Sequence, residues 1–130
     1  MFAAYRNAAG SYRHLSIETE LTDADPHRLI AMLYGGALDA IRRARSALKK
    51  GDIAARGAAV SQAIRIIGEG LEAVLDERGE EITSNLRGLY RYMAQRLLQA
   101  NAAADDSMLA EVAGLLGQLN DAWSGIAPRR

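Results

Sequence analysis

The sequence predicts an all-α fold, an antiparallel up-down-up-down four-helix bundle with a short N-terminal segment packed on it. Apolar residues recur at helical spacing in four successive segments, and capping residues bound each one. No stretch alternates apolar with polar residues as a half-buried strand does. The 130 residues accordingly divide into a tyrosine-bearing segment at 1–24, the bundle at 25–126 and a tail at 127–130.

The first helix begins at Asp25-Pro26, an N-cap followed by proline in the first turn, where the missing N–H leaves no bond unmade. Its seam is Ile30, Tyr34, Ala37, Ile41, Ala44 and Leu48. Lys49 and Lys50 suit the negative end of the helix dipole, and Gly51 offers the left-handed position that ends it. Asp52 caps the second helix at once, so the first two helices are antiparallel neighbours. The second seam runs Ile53, Val60, Ile64, Ile67, Leu71 and Val74, and the helix ends at Arg78-Gly79-Glu80-Glu81. Thr83 is the candidate N-cap of the third, with a seam of Leu86, Tyr90, Met93, Leu97 and Ala100. Ala102 to Asp105 makes a short turn. Asp105 or Asp106 caps the fourth helix, whose seam is Leu109, Val112, Leu116, Leu119 and Trp123, and Gly125 with Pro128 stops it.

Composition narrows what such a bundle does. Sixteen basic residues balance sixteen acidic ones, so no net field holds nucleic acid or an anionic membrane, and apolar contact is the means of binding. Cysteine is absent, which fits a reducing compartment. The N-terminus lacks the apolar core of a signal peptide, and the longest uncharged stretch, Leu29 to Leu38, is far shorter than the roughly 20 residues that span a bilayer. The expectation is a cytoplasmic protein with no membrane insertion.

Catalytic and metal chemistry lack their residues. Paired Glu-x-x-His motifs hold metals in helical bundles, and no Glu here has a His three positions later. Of the two histidines, His14 precedes the bundle and His27 reads as a solvent-facing first-turn residue. Gly35-Gly36 lies inside a helical pattern and is no phosphate loop. Asp76-Glu77 and Glu80-Glu81 read as a solvated turn rather than a catalytic pair, and Arg42, Arg43 and Arg45 as a solvated face. No catalytic residue, metal or cofactor is expected.

Two features exceed what a bundle requires. Leu29, Met32, Leu33, Gly36 and Ala40 form an apolar strip beside the first seam, covered either by a second neighbouring helix or by a partner. Gly35, Gly36, Gly57, Gly68 and Gly70 permit close approach to either, each costing roughly 1 kcal/mol relative to alanine. Phe2, Tyr5 and Tyr12 place three of the seven aromatic residues in the first twelve positions, which suits a segment that docks on an apolar groove, reversibly or as part of the core.

The run Asp25-Pro26-His27-Arg28-Leu29-Ile30-Ala31-Met32-Leu33-Tyr34-Gly35-Gly36-Ala37-Leu38 resembles the opening of helix one in the flagellin-specific export chaperone family, FliS. Lys50-Gly51-Asp52-Ile53 and Ala63-Ile64-Arg65-Ile66-Ile67 look like that family's first turn and second helix. Asn85-Leu86-Arg87-Gly88-Leu89-Tyr90-Arg91-Tyr92-Met93, with Arg96 to Asn101, is similar to its third, and Asp121-Ala122-Trp123 to its terminal stretch. The resemblance spans Tyr5 to Ile126, with mild departures in helix two and the turn after it.

The resemblance implies a cytosolic chaperone that binds the disordered C-terminal segment of flagellin and prevents its premature polymerisation. It implies delivery to the flagellar type III export gate, with the N-terminal segment lying over part of the flagellin site. Joined to the helix-in-groove mode, in which an amphipathic segment lays its apolar face into a hydrophobic groove, it selects Tyr5, Tyr12, Leu29, Met32 and Leu33 as flagellin-binding residues. Ile66, Leu89 and Met93 join them, although burial inside the bundle accounts for these three equally. The alternative is a non-enzymatic bundle that acts through self-association as a homodimer.

Overall fold

The computed structural model describes residues 25–126. Asp25 has extended backbone and its carboxylate accepts a hydrogen bond from the Arg28 N–H, so α1 (Pro26–Lys50) starts where its cap and proline direct it. Gly51 ends α1 at a φ of 70°, a left-handed conformation that glycine adopts without steric cost, and its N–H returns to the Leu48 carbonyl. Asp52 then accepts from the Ala55 N–H at 3.0 Å and starts α2 (Ile53–Arg65).

Helix α2 departs from expectation at both ends. Ile53, expected at the head of its seam, is 69% exposed, because the first turn of α2 lies beyond the apolar core. The contact there is polar: Arg56 donates to the side-chain and backbone oxygens of Asn101 at 2.8 and 3.1 Å. At its other end α2 widens into a π-helical segment, Ile66–Glu72, and a separate 3-10 turn at Glu77–Gly79 follows, so the α-helix does not persist to Arg78. The π turns bury Ile66, Ile67, Gly70 and Leu71 together. Leu33 of α1 occupies the room that glycine leaves at 70, where a Cβ would stand 2.9 Å from Leu33 Cδ2. Leu33, Gly36 and Ala40 of the second apolar strip are thus covered within the bundle.

Thr83 is not the N-cap of the third helix. That helix, α3 (Glu81–Ala103), begins three residues earlier than a Thr83 cap would start it, after Glu80 at a φ of 51°. Thr83 is buried and its hydroxyl donates to the Asp76 carbonyl, tying the helix back to the turn before it. Ala104, at a φ of 52°, ends α3, and Asp105 caps α4 (Asp106–Gly125) by accepting from the Ser107 N–H at 2.9 Å.

Helix α1 packs against α2 and α4, and α3 against the same two, so these four α-helices form a closed ring in chain order. The short turns make neighbours antiparallel, which is the up-down-up-down bundle. Its core is Ala37, Ile41 and Ala44 with Val60, Ala63 and Ile67, Met93 and Leu97, and Leu109, Val112 and Leu116, all buried. Each large side chain among them contributes about 1.5–3 kcal/mol by leaving water. Ion pairs bridge the helices outside the core: Arg45 grips Asp106 at 2.8 and 2.9 Å, and Arg96 meets Glu111 at 2.7 Å. Among the described residues no helix is long and apolar enough to cross a membrane.

Candidate partner-binding site

Among the described residues the core does not close fully at the end of the bundle where α1 begins and α4 finishes. There the π segment stops, the chain crosses to α3 through an irregular turn, and an apolar cavity of about 260 Å³ remains. Helix α1 contributes Ile30 and Tyr34, and α3 contributes Ile82, Leu86 and Tyr90. Leu71, Val74 and Leu75 form the wall that the π turns and the residues after them supply. Trp123, in the last turn of α4, completes the ring. Ile82 is 70% exposed at this site, while Tyr34 and Tyr90 are buried.

The polar atoms at the cavity are already engaged with one another. The Tyr34 and Tyr90 hydroxyls are 2.7 Å apart and share a hydrogen bond. Burial holds both phenols above their usual range, and for Tyr90 the bond to Tyr34 adds to the effect. Asp76 accepts from the Arg78 backbone and guanidinium, and these bonds hold its carboxyl below the usual carboxylate range. His27 does not face solvent as a free first-turn side chain. Its ring stacks on Trp123 at 4.6 Å, and the two residues exchange hydrogen bonds through their ring nitrogens and backbone carbonyls.

A cavity with such walls takes up apolar surface. Among the described residues no group of three or more His, Cys, Asp or Glu side chains is placed to hold a metal. The apolar walls and the satisfied polar groups suit a partner's hydrophobic side chain.

Of the residues singled out from sequence, those that the structure describes fall elsewhere. Tyr5 and Tyr12 lie outside the described residues. Leu29, Met32 and Leu89 are half-buried at the edge of the core, and Leu33, Ile66 and Met93 are at most 1% exposed. None of these six lines the cavity. The lining residues Ile30, Tyr34, Leu71, Val74, Leu86, Tyr90 and Trp123 read in the sequence as seam positions. The signal that marks them is aromatic: Tyr34, Tyr90 and Trp123 sit on three different seams and meet at one end.

The profile of the family described as "Flagellar protein FliS" matches residues 7–130. The chain is 48% identical over 120 residues to the flagellar secretion chaperone FliS of Salmonella typhimurium, covering 92% of this chain and 89% of that protein. It is 42% identical over 120 residues to the flagellar secretion chaperone FliSB of Pseudomonas aeruginosa, covering 92% and 95%. The flagellar secretion chaperone FliS of Bacillus subtilis is 37% identical over 120 residues, covering 92% and 86%.

Proposed function

The chain belongs to the flagellar protein FliS family, and from that membership we propose that it is a flagellar export chaperone acting by binding rather than catalysis. Its cargo is the disordered C-terminal segment of flagellin, held as an amphipathic helix in hydrophobic grooves of the bundle. Capture in the cytosol keeps flagellin from polymerising, and the complex is delivered to the flagellar type III export gate. The residues at 1–24, with Tyr5 and Tyr12, cover part of the flagellin site in the free protein and move aside when cargo binds. Leu29, Met32 and Leu89, each half-buried at the edge of the core, flank the binding surface. Leu33, Ile66 and Met93 support it from within.

The observation that carries this reading is the likeness to several flagellar secretion chaperones across about nine-tenths of each chain. The apolar cavity of about 260 Å³ supplies a physical means of capture. Ordering a disordered cargo consumes part of the gross interaction energy, which keeps the complex releasable without chemical fuel.

Calorimetric titration with a synthetic flagellin C-terminal peptide tests the proposal. Saturable one-to-one binding with a negative heat-capacity change is expected, with altered affinity in a Tyr5→Ala, Tyr12→Ala variant. Absence of binding at tens of micromolar would sink it. Mass measured across dilution separates it from self-association.

A further inference from the structure

The turn that borders the cavity is rich in charge. From Glu72 to Arg91 the chain that supplies Leu75, Asp76, Gly79 and Ile82 to the cavity carries five carboxylates, Glu72, Asp76, Glu77, Glu80 and Glu81, and three guanidinium groups, Arg78, Arg87 and Arg91; of these eight Asp76 lines the cavity itself. Those three arginines are taken up by Asp76, Glu77 and Glu72. Glu80 and Glu81 stand between the lining residues Gly79 and Ile82, and their exposed side chains make no ion pair or hydrogen bond with a described residue.

Size narrows the occupant as charge does. Small-molecule sites run to roughly 300–1,000 Å³, and a cavity of about 260 Å³ suits one large side chain of a segment lying across its mouth. A backbone passing that mouth brings its neighbouring side chains to the Glu80 and Glu81 carboxylates, which favour a cation and repel an anion.

We infer that the cavity anchors one large apolar side chain of the captured segment, and that the segment carries an arginine or lysine within one helical turn of it to meet Glu80 and Glu81. The inference rests on the chaperone reading above and adds a requirement on cargo sequence. Shape alone accepts many apolar segments. The acidic rim selects among them and steers the approach of basic ones.

Full-length protein is titrated with a flagellin C-terminal peptide, in its native form and with its arginines and lysines replaced by glutamate. The proteins are wild type, a Glu80→Lys, Glu81→Lys variant, and Val74→Phe, which places a ring in the cavity. Reversal on either side alone weakens binding about threefold to tenfold at low salt, and reversal on both sides restores it. Val74→Phe weakens binding about tenfold or more without changing its salt dependence.

Failure of the native peptide to bind wild type overturns the chaperone reading. Binding that the crossed reversal does not restore, or that Val74→Phe leaves unchanged, overturns this inference alone, as does a cargo segment with no basic residue. Tighter binding by Val74→Phe assigns the cavity to residues 1–24 of the chain itself. Conversion of a dimer to a monomer by that variant assigns it to a second copy, and either result overturns the inference. The charge variants alter only exposed residues, so the test stands even where Val74→Phe does not fold.

Discussion

His27 and Trp123, 96 positions apart, hold each other through two reciprocal hydrogen bonds of 2.9 Å and a stacked pair of rings. The His27 Nε2–H donates to the Trp123 carbonyl in that tautomer, and the indole N–H donates to the His27 carbonyl. The pair joins the first turn of α1 to the last turn of α4. It closes the ring of helices at the end where the cavity lies.

Trp123→Phe keeps the stacked ring and removes the indole donor, so it is expected to cost about 1 kcal/mol in urea denaturation followed by circular dichroism. His27→Ala removes the ring and its hydrogen bond as well, for a cost of roughly 1.5–3 kcal/mol. Wild-type stability in both variants would mean that the end of α4 is frayed in solution.

The hydroxyls of Tyr34 and Tyr90 provide a second test. Tyr34→Phe or Tyr90→Phe strands the other hydroxyl in an apolar wall and costs about 1–2 kcal/mol, while the double variant costs less than the sum. Both phenols have raised folded values, so the folded chain keeps protons that the unfolded chain loses near pH 10. Their contribution is complete below that pH and is lost as pH rises through the folded values. Stability of wild type should fall above about pH 10 more steeply than that of the double phenylalanine variant.

Two glycines in the π segment should respond oppositely to alanine. At Gly70 a Cβ would stand 2.9 Å from Cδ2 of the buried Leu33, so the packed side chain must shift and Gly70→Ala is expected to destabilise by about 1–3 kcal/mol. Nothing lies within 4 Å of a Cβ at Gly68, and Gly68→Ala should stabilise by up to about 1 kcal/mol. Thermal melts of the two variants, shifted in opposite directions, would check both.

Acid should weaken the bundle through its interhelical carboxylates. Arg45 holds the Asp106 carboxyl below its usual range, and Tyr92 with Arg96 does the same for Glu111. A lowered folded value stabilises above the unfolded value, near 4, and that contribution is lost as pH falls through the folded value. The melting temperature should therefore decline below about pH 5, less steeply in Asp106→Asn and in high salt, because these groups are well solvated. Equal slopes for Asp106→Asn and wild type would remove that pair from the account.

Helix starts were legible where the chemistry is local. Asp25, Asp52 and Asp105 each bond an N–H within three residues, so their capping depends on little beyond the adjacent chain. Thr83 misled for the same reason: it has a capping side chain, but its hydroxyl goes back seven residues to Asp76 and leaves Glu80 to open α3. Periodicity named the core residues, including Tyr34, Leu71, Tyr90 and Trp123. It assigned them to a closed seam because spacing along a helix does not say where the seam ends.

The sequence by itself determined the all-α class, four helices in chain order, their main caps and, Ile53 and Val74 apart, the residues of the four seams that pack on or within the core. These follow from spacing and from bonds that span a few residues. Only the tertiary structure decided that α2 widens at Ile66, that His27 turns inward to Trp123, and that aromatic seam ends meet around a cavity. Each of those depends on side chains far apart in the chain: Leu33 against Gly70, His27 against Trp123, Tyr34 against Tyr90. Such contacts exist only after the helices have packed.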